Sequence, residues 1–179
     1  MTDPAVHRLR YRWLIEGPID VVFDILVHGT AFPDWWRPVF LEAHTDDPES
    51  VVGARVRYRV RGRLPYGLDW DVTLRRIERP HLIENETVVI LGGRLRLSGP
   101  VRFRLGQQGD RVEVINEQEM RSERRLPRPI RAVWQRVFSY NHDWAMAKGG
   151  IGLQRAVRER LARTPSAEPV EGAGSAQPD

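Results

Sequence analysis

Residues 7–16 alternate in polarity. His7, Leu9, Tyr11, Trp13 and Ile15 share one side, and Arg8, Arg10, Arg12 and Glu16 the other, with Leu14 out of step. A period of two predicts a strand half-buried on one face. Gly17-Pro18 ends it, and Pro18 suits a first helical turn. Ile19, Val22, Phe23 and Leu26 follow at helical spacing, which predicts a helix stopping near His28-Gly29. A short helical turn is predicted over residues 31–36, closed by Pro38, and a strand over residues 39–44.

The alternation is clearest in Ala54, Val56, Tyr58 and Val60 against Arg55, Arg57, Arg59 and Arg61. The next strand sets Leu68, Trp70, Val72 and Leu74 against Asp69, Asp71 and Thr73. A loop of Pro65-Tyr66-Gly67 would place Arg63 opposite Asp69, Arg61 opposite Asp71, Val60 opposite Val72 and Tyr58 opposite Leu74. The arginine row is then the wet face of a sheet. Further strands are predicted over residues 82–91, 94–105 and 111–123, with turns at Gly92-Gly93 and residues 106–110. Gly99-Pro100 predicts a bulge or bend. Pro127 and Pro129 introduce a last helix, residues 130–162.

Sequential strands joined by short turns imply an antiparallel sheet, and the long helix must cover its apolar face. The predicted fold class is α+β: a curved antiparallel sheet of about seven strands wrapped around a long C-terminal helix, with one or two short helices after the first strand. Residues 1–163 read as one domain. Residues 164–179 turn to Pro, Ala, Gly, Ser and Glu and read as a disordered tail.

In this arrangement the sequence resembles the START-like (SRPBCC) superfamily, helix-grip proteins of polyketide cyclase/dehydrase and lipid-transport type. Four segments carry the resemblance: Trp13-Leu14-Ile15-Glu16-Gly17-Pro18-Ile19-Asp20-Val21-Val22-Phe23; Phe32-Pro33-Asp34-Trp35-Trp36-Arg37-Pro38-Val39; Leu64-Pro65-Tyr66-Gly67 followed by Trp70; and Tyr140-Asn141-His142-Asp143-Trp144-Ala145-Met146 with Gly149, Gly152 and Leu153. The last two are similar to a bacterial branch. The resemblance covers residues 8–163 and implies an apolar cavity between sheet and last helix. It also implies apolar or aromatic residues inside the last strand, where this chain has Val112, Val114, Asn116, Gln118 and Met120.

Composition narrows the chemistry. With no cysteine, disulfides, thiol nucleophiles and thiolate metal sites are excluded. No run approaches the roughly 18 apolar residues of a membrane helix. A cytoplasmic protein without integral membrane association is expected. The net charge is +4, and Lys148 is the only lysine. Acids are interleaved with the arginines, which argues for a GC-rich genome's bias and against a nucleic-acid partner.

On a wheel of the last helix, Ile130, Trp134, Val137, Phe138, Asn141 and Ala145 form one stripe. Asn141 interrupts it and His142 lies at its edge. Asn141 is expected to face the sheet, within reach of Asn116 and Gln118, and to bond either a ligand or a neighbouring amide. His142 is the sole acid–base candidate, read otherwise as a half-exposed helix histidine. Trp35 and Trp36 read either as a lid or as a plug under the short helix. Trp13, Tyr58, Trp70, Trp134 and Phe138 complete the candidate ligand-binding set, and the Tyr140 hydroxyl is a further candidate. The remaining histidines have no metal-like spacing, and no metal or cofactor is expected. Gly149, Gly150 and Gly152 suit close packing of the helix; beyond them the stripe moves to Met146, Leu153, Val157 and Leu161.

These features favour binding, or transport, of a hydrophobic small molecule such as a lipid or polyketide-like compound by a monomer or homodimer. The alternatives are a polyketide cyclase/aromatase-type enzyme using the same cavity and a protein-interaction module.

Overall fold

The computed structural model describes residues 6–47, 51–63, 67–91, 95–122 and 128–163. Strand β1 (Val6–Glu16) leads into helix α1 (Ile19–Val27), a 3-10 turn (Gly29–Ala31) and the one-turn helix α2 (Phe32–Trp35). Then come β2 (Phe40–His44), β3 (Arg55–Arg61), β4 (Gly67–Glu78), β5 (Leu82–Leu91), β6 (Leu95–Gln108), β7 (Arg111–Ser122) and the long helix α3 (Arg128–Arg163). The strands form one antiparallel sheet in the order β1-β7-β6-β5-β4-β3-β2. This is the α+β helix-grip architecture, with α3 against the apolar face. Residues 164–179 lie outside the described residues.

Alternation sets the faces. Along β7, Val112, Val114, Asn116, Gln118 and Met120 are buried while the residues between them are not. On the opposite face, Arg57 meets Asp71 at 2.8 Å, Arg59 meets Glu42 at 3.3 Å, Arg102 meets Glu84 at 3.0 Å and Arg104 meets Glu117 at 3.3 Å. The arginine row is thus a solvated face carrying cross-strand ion pairs.

The partners within the β3–β4 hairpin differ from the expected ones. Val60 lies opposite Leu68, Tyr58 opposite Trp70 and Arg57 opposite Asp71. The pairing is displaced by four positions. An even displacement keeps every side chain on its face, so the polar pattern alone does not choose between the two registers. In β6 no register shift occurs: Ser98 pairs with Arg121 and Val101 with Gln118. Gly99 (φ +153°) lets the neighbouring backbone approach, because a Cβ there would lie 1.9 Å from the Glu119 carbonyl oxygen.

Two indoles pin α3 in the grip. Trp13 Nε1 donates to the Met146 carbonyl at 2.9 Å, and Trp36 Nε1 to the Ala145 carbonyl at 2.8 Å. About two turns further on, the helix face is flat. A Cβ on Gly152 would sit 1.8 Å from the Trp35 carbonyl oxygen. Met146, Leu153 and Val157 continue the buried stripe, whereas Leu161 is exposed.

Candidate functional site

The sheet and α3 do not meet everywhere. Between them lies a cavity of about 130 Å³, partly open to solvent. Its wall is mainly apolar. Trp36, Tyr58, Trp70, Phe103 and Phe138 contribute rings, with Val89 and Val101 among the aliphatic residues. The volume is close to the roughly 150 Å³ of an engineered apolar cavity that holds benzene. A single aromatic ring with a short substituent is therefore the scale of molecule it admits without rearrangement.

The polar residues of the wall come from four elements, β3 supplying Tyr58 and, from its otherwise exposed arginine row, Arg61. The inward alternation of β5 supplies Asn85 and Thr87, that of β7 supplies Asn116 and Gln118, and α3 supplies Asn141 and His142. The Thr87 hydroxyl is bonded to the Gly99 carbonyl at 2.9 Å. Gln118 Nε2 donates to Asn116 Oδ1 at 2.8 Å. Among the described residues, four side-chain atoms are buried without a hydrogen-bond partner: Trp35 Nε1, outside the cavity, and Asn116 Nδ2, Trp70 Nε1 and His142 Nε2 in its wall. A buried polar atom left so costs about 1 to 3 kcal/mol, so a site with three of them is arranged for something else to bond.

Asn141 is buried in this wall, its amide against Gly62. Its Oδ1 accepts the Arg63 backbone N–H at 2.6 Å, tying α3 to the β3–β4 hairpin. Arg63 also stacks its guanidinium over Tyr140, 5.1 Å from the ring centroid. Tyr140 itself is exposed and outside the cavity wall. The wheel gave Asn141 its inward direction; the hairpin backbone, a non-local partner, was invisible to it. Asn141→Leu is expected to lower stability by about 1 to 2 kcal/mol by stranding that N–H. Thermal melts should show a fall of about 2–8 °C, and an unchanged or raised Tm would contradict the tie between Asn141 and the hairpin backbone.

His142 is more deeply placed than its position on the helix suggested. Its side chain is 9% exposed and its ring stands edge-on to Tyr11, with centroids 6.5 Å apart. Burial pulls the imidazole down to about 4, with Asp143 opposing, so the ring is neutral near pH 7. The missing signal was Tyr11, whose inward face on β1 closes over the helix edge.

Of the other sequence candidates, Trp36, Tyr58, Trp70, Asn116, Gln118 and Phe138 line the cavity. Trp13 and Trp35 do not. Trp13 stacks on Phe103 and is bonded to α3, and Trp35 stacks on Trp36 at 5.1 Å. Trp35 and Trp36 are both buried, so the pair is a plug under α2 with one ring reaching the cavity. The Trp134 side chain lies outside the described residues. Asn85 and Thr87 were not singled out in the sequence, although the period of two in β5 marks them as inward. Among the described residues, no three His, Asp or Glu side chains converge as metal ligands would. No described helix is long and apolar enough to cross a membrane.

No family model matches the sequence, and no curated protein matches it significantly. Solved structures do match in fold. An aromatase/cyclase, Zhui from Streptomyces sp. R1128, superposes with a TM-score of 0.69 at 12% identity, over 88% of this chain and 96% of that one. Norcoclaurine synthase of Thalictrum flavum, a point mutant in complex with a transition-state analogue, gives 0.63 at 13% identity, over 90% and 99%. A START superfamily protein of Mycobacterium smegmatis gives 0.62 at 12% identity, over 86% and 99%. The chain has the START-like, SRPBCC-type helix-grip fold.

Proposed function

We propose that the protein binds an apolar small molecule in the cavity between the sheet and α3. The observation that carries this reading is a mainly apolar wall holding unpartnered polar atoms, one of each on Trp70, Asn116 and His142. Pockets that recognise small molecules combine those two properties. The START-like fold supports the reading, since an aromatase/cyclase and a plant synthase share it. The volume favours a compact ligand over a long acyl chain.

Titration of propylbenzene into the protein, followed by calorimetry, is expected to saturate at about one molecule per chain with a negative heat-capacity change. Val101 faces the cavity from β6 and is almost wholly buried. Val101→Trp should fill the space and weaken propylbenzene binding by about 30-fold or more, roughly 2 kcal/mol, with the circular dichroism spectrum unchanged. Undiminished binding to this variant would place the ligand elsewhere.

A second reading, catalysis of the polyketide cyclase or aromatase type in the same cavity, is favoured by His142, a neutral imidazole in the wall available as a base. Cyclised product from a linear poly-β-ketone, lost in His142→Phe, would support it. Absence of any turnover would leave the protein a binder.

A further inference from the structure

Two of the unpartnered atoms belong to cavity-wall residues that both neighbour Tyr11. Asn116 lies opposite Tyr11 in the β1–β7 ladder, and His142 packs edge-on against the Tyr11 ring. Asn116 is 1% exposed and the His142 side chain 9%. Their hydrogen-bonding characters are opposite. With Asn116 Oδ1 accepting from Gln118 Nε2, the NH₂ of the Asn116 amide is left over, and Nδ2 is a donor.

His142 Nδ1 is 3.8 Å from Asp143 Oδ1, and Asp143 is the charged group acting on the ring among the described residues. A neutral imidazole carries one N–H. With the proton on Nδ1, the nitrogen that faces that carboxylate, Nε2 presents a lone pair. Asn116 thus offers a proton and His142 accepts one. A hydroxyl is the ligand group that does both in return.

We infer that the cavity selects a single-ring phenol, its O–H donating to His142 Nε2 while its oxygen accepts from Asn116 Nδ2. The inference rests on the proposal that the cavity binds apolar small molecules, and names their class. The ring is set by the volume and by the aromatic wall. A hydrocarbon of the same shape would leave both nitrogens desolvated and unbonded. A methyl ether would satisfy Asn116 but turn its methyl group, which has no proton to donate, toward the His142 lone pair.

The test compares 4-propylphenol, propylbenzene and 4-propylanisole by calorimetry on the full chain at pH 7. The phenol is expected to bind about tenfold or more tighter than either analogue. Asn116→Leu and His142→Phe should each shrink that preference while propylbenzene still binds. Should either variant fail to fold, the comparison of three ligands on the unaltered protein carries the result alone. Equal binding of phenol and hydrocarbon overturns the inference and leaves the cavity proposal standing. Equal binding of phenol and methyl ether overturns the role of the His142 lone pair, and the hydroxyl class with it. No binding by any of the three overturns the cavity proposal itself.

Discussion

Replacing Gly152 with alanine should destabilise the protein by about 3 kcal/mol or more, a fall in Tm of about 6–12 °C. Two effects compete. In an open helix the same change is favourable by about 1 kcal/mol, because glycine is the poorer helix former. Here the new methyl would stand 1.8 Å from the Trp35 carbonyl oxygen, an atom of the backbone with little freedom to retreat. α2 and α3 must then part. Parting them stretches the bond from Trp36 Nε1 to the Ala145 carbonyl and disturbs the stacked Trp35–Trp36 pair. The steric term is the larger and sets the sign. Urea unfolding of the variant would measure it, and a variant as stable as the parent would mean that α3 is not held against α2 as described.

His142→Phe should remove about 2–3 kcal/mol of the stability that the parent loses between pH 7 and pH 4.5. The sign follows from proton uptake. In the unfolded chain the imidazole binds a proton near its ordinary value of about 6.5. In the folded protein burial holds it down to about 4. Between those values the unfolded state carries more protons, so acid favours unfolding, at about 1.4 kcal/mol for each pH unit. Above the upper value both states are neutral and the histidine contributes no slope. Phenylalanine keeps the ring against Tyr11 and has nothing to titrate. Denaturant unfolding of both proteins at the two pH values gives the difference directly. Parallel pH profiles would show that His142 is not buried in the folded protein.

The sheet was legible because alternation is a local signal. Arg55, Arg57, Arg59 and Arg61 marked the wet face of β3 without any knowledge of the fold, and they are exposed. Partners were less legible. Val60 fits opposite Val72 as well as opposite Leu68 by polarity, and only the geometry of the hairpin decides. The site divided along the same line. That Asn116 and Gln118 face inward followed from the period of β7, and their bond to one another is local, two residues apart. That Asn141 reaches the backbone of Arg63, 78 residues away, and that Tyr11 covers His142 from the first strand, depends on contacts between distant parts of the chain. Periodicity gives a side chain its direction, while its partner is a property of the closed sheet and the gripped helix. Trp13 shows the converse. Its inward direction was read correctly, yet its indole is bonded to α3 and does not reach the cavity.

The most direct test of the central claim, a cavity that takes up an apolar molecule, is a propylbenzene titration followed through the indole N–H signals of the six tryptophans. Trp36 and Trp70 lie in the cavity wall, and Trp70 Nε1 is buried there without a partner among the described residues. Both signals are predicted to shift and to saturate together near one molecule per chain. Fixed signals for Trp36 and Trp70 at ligand concentrations that saturate the protein, or the absence of any saturable binding, would contradict it.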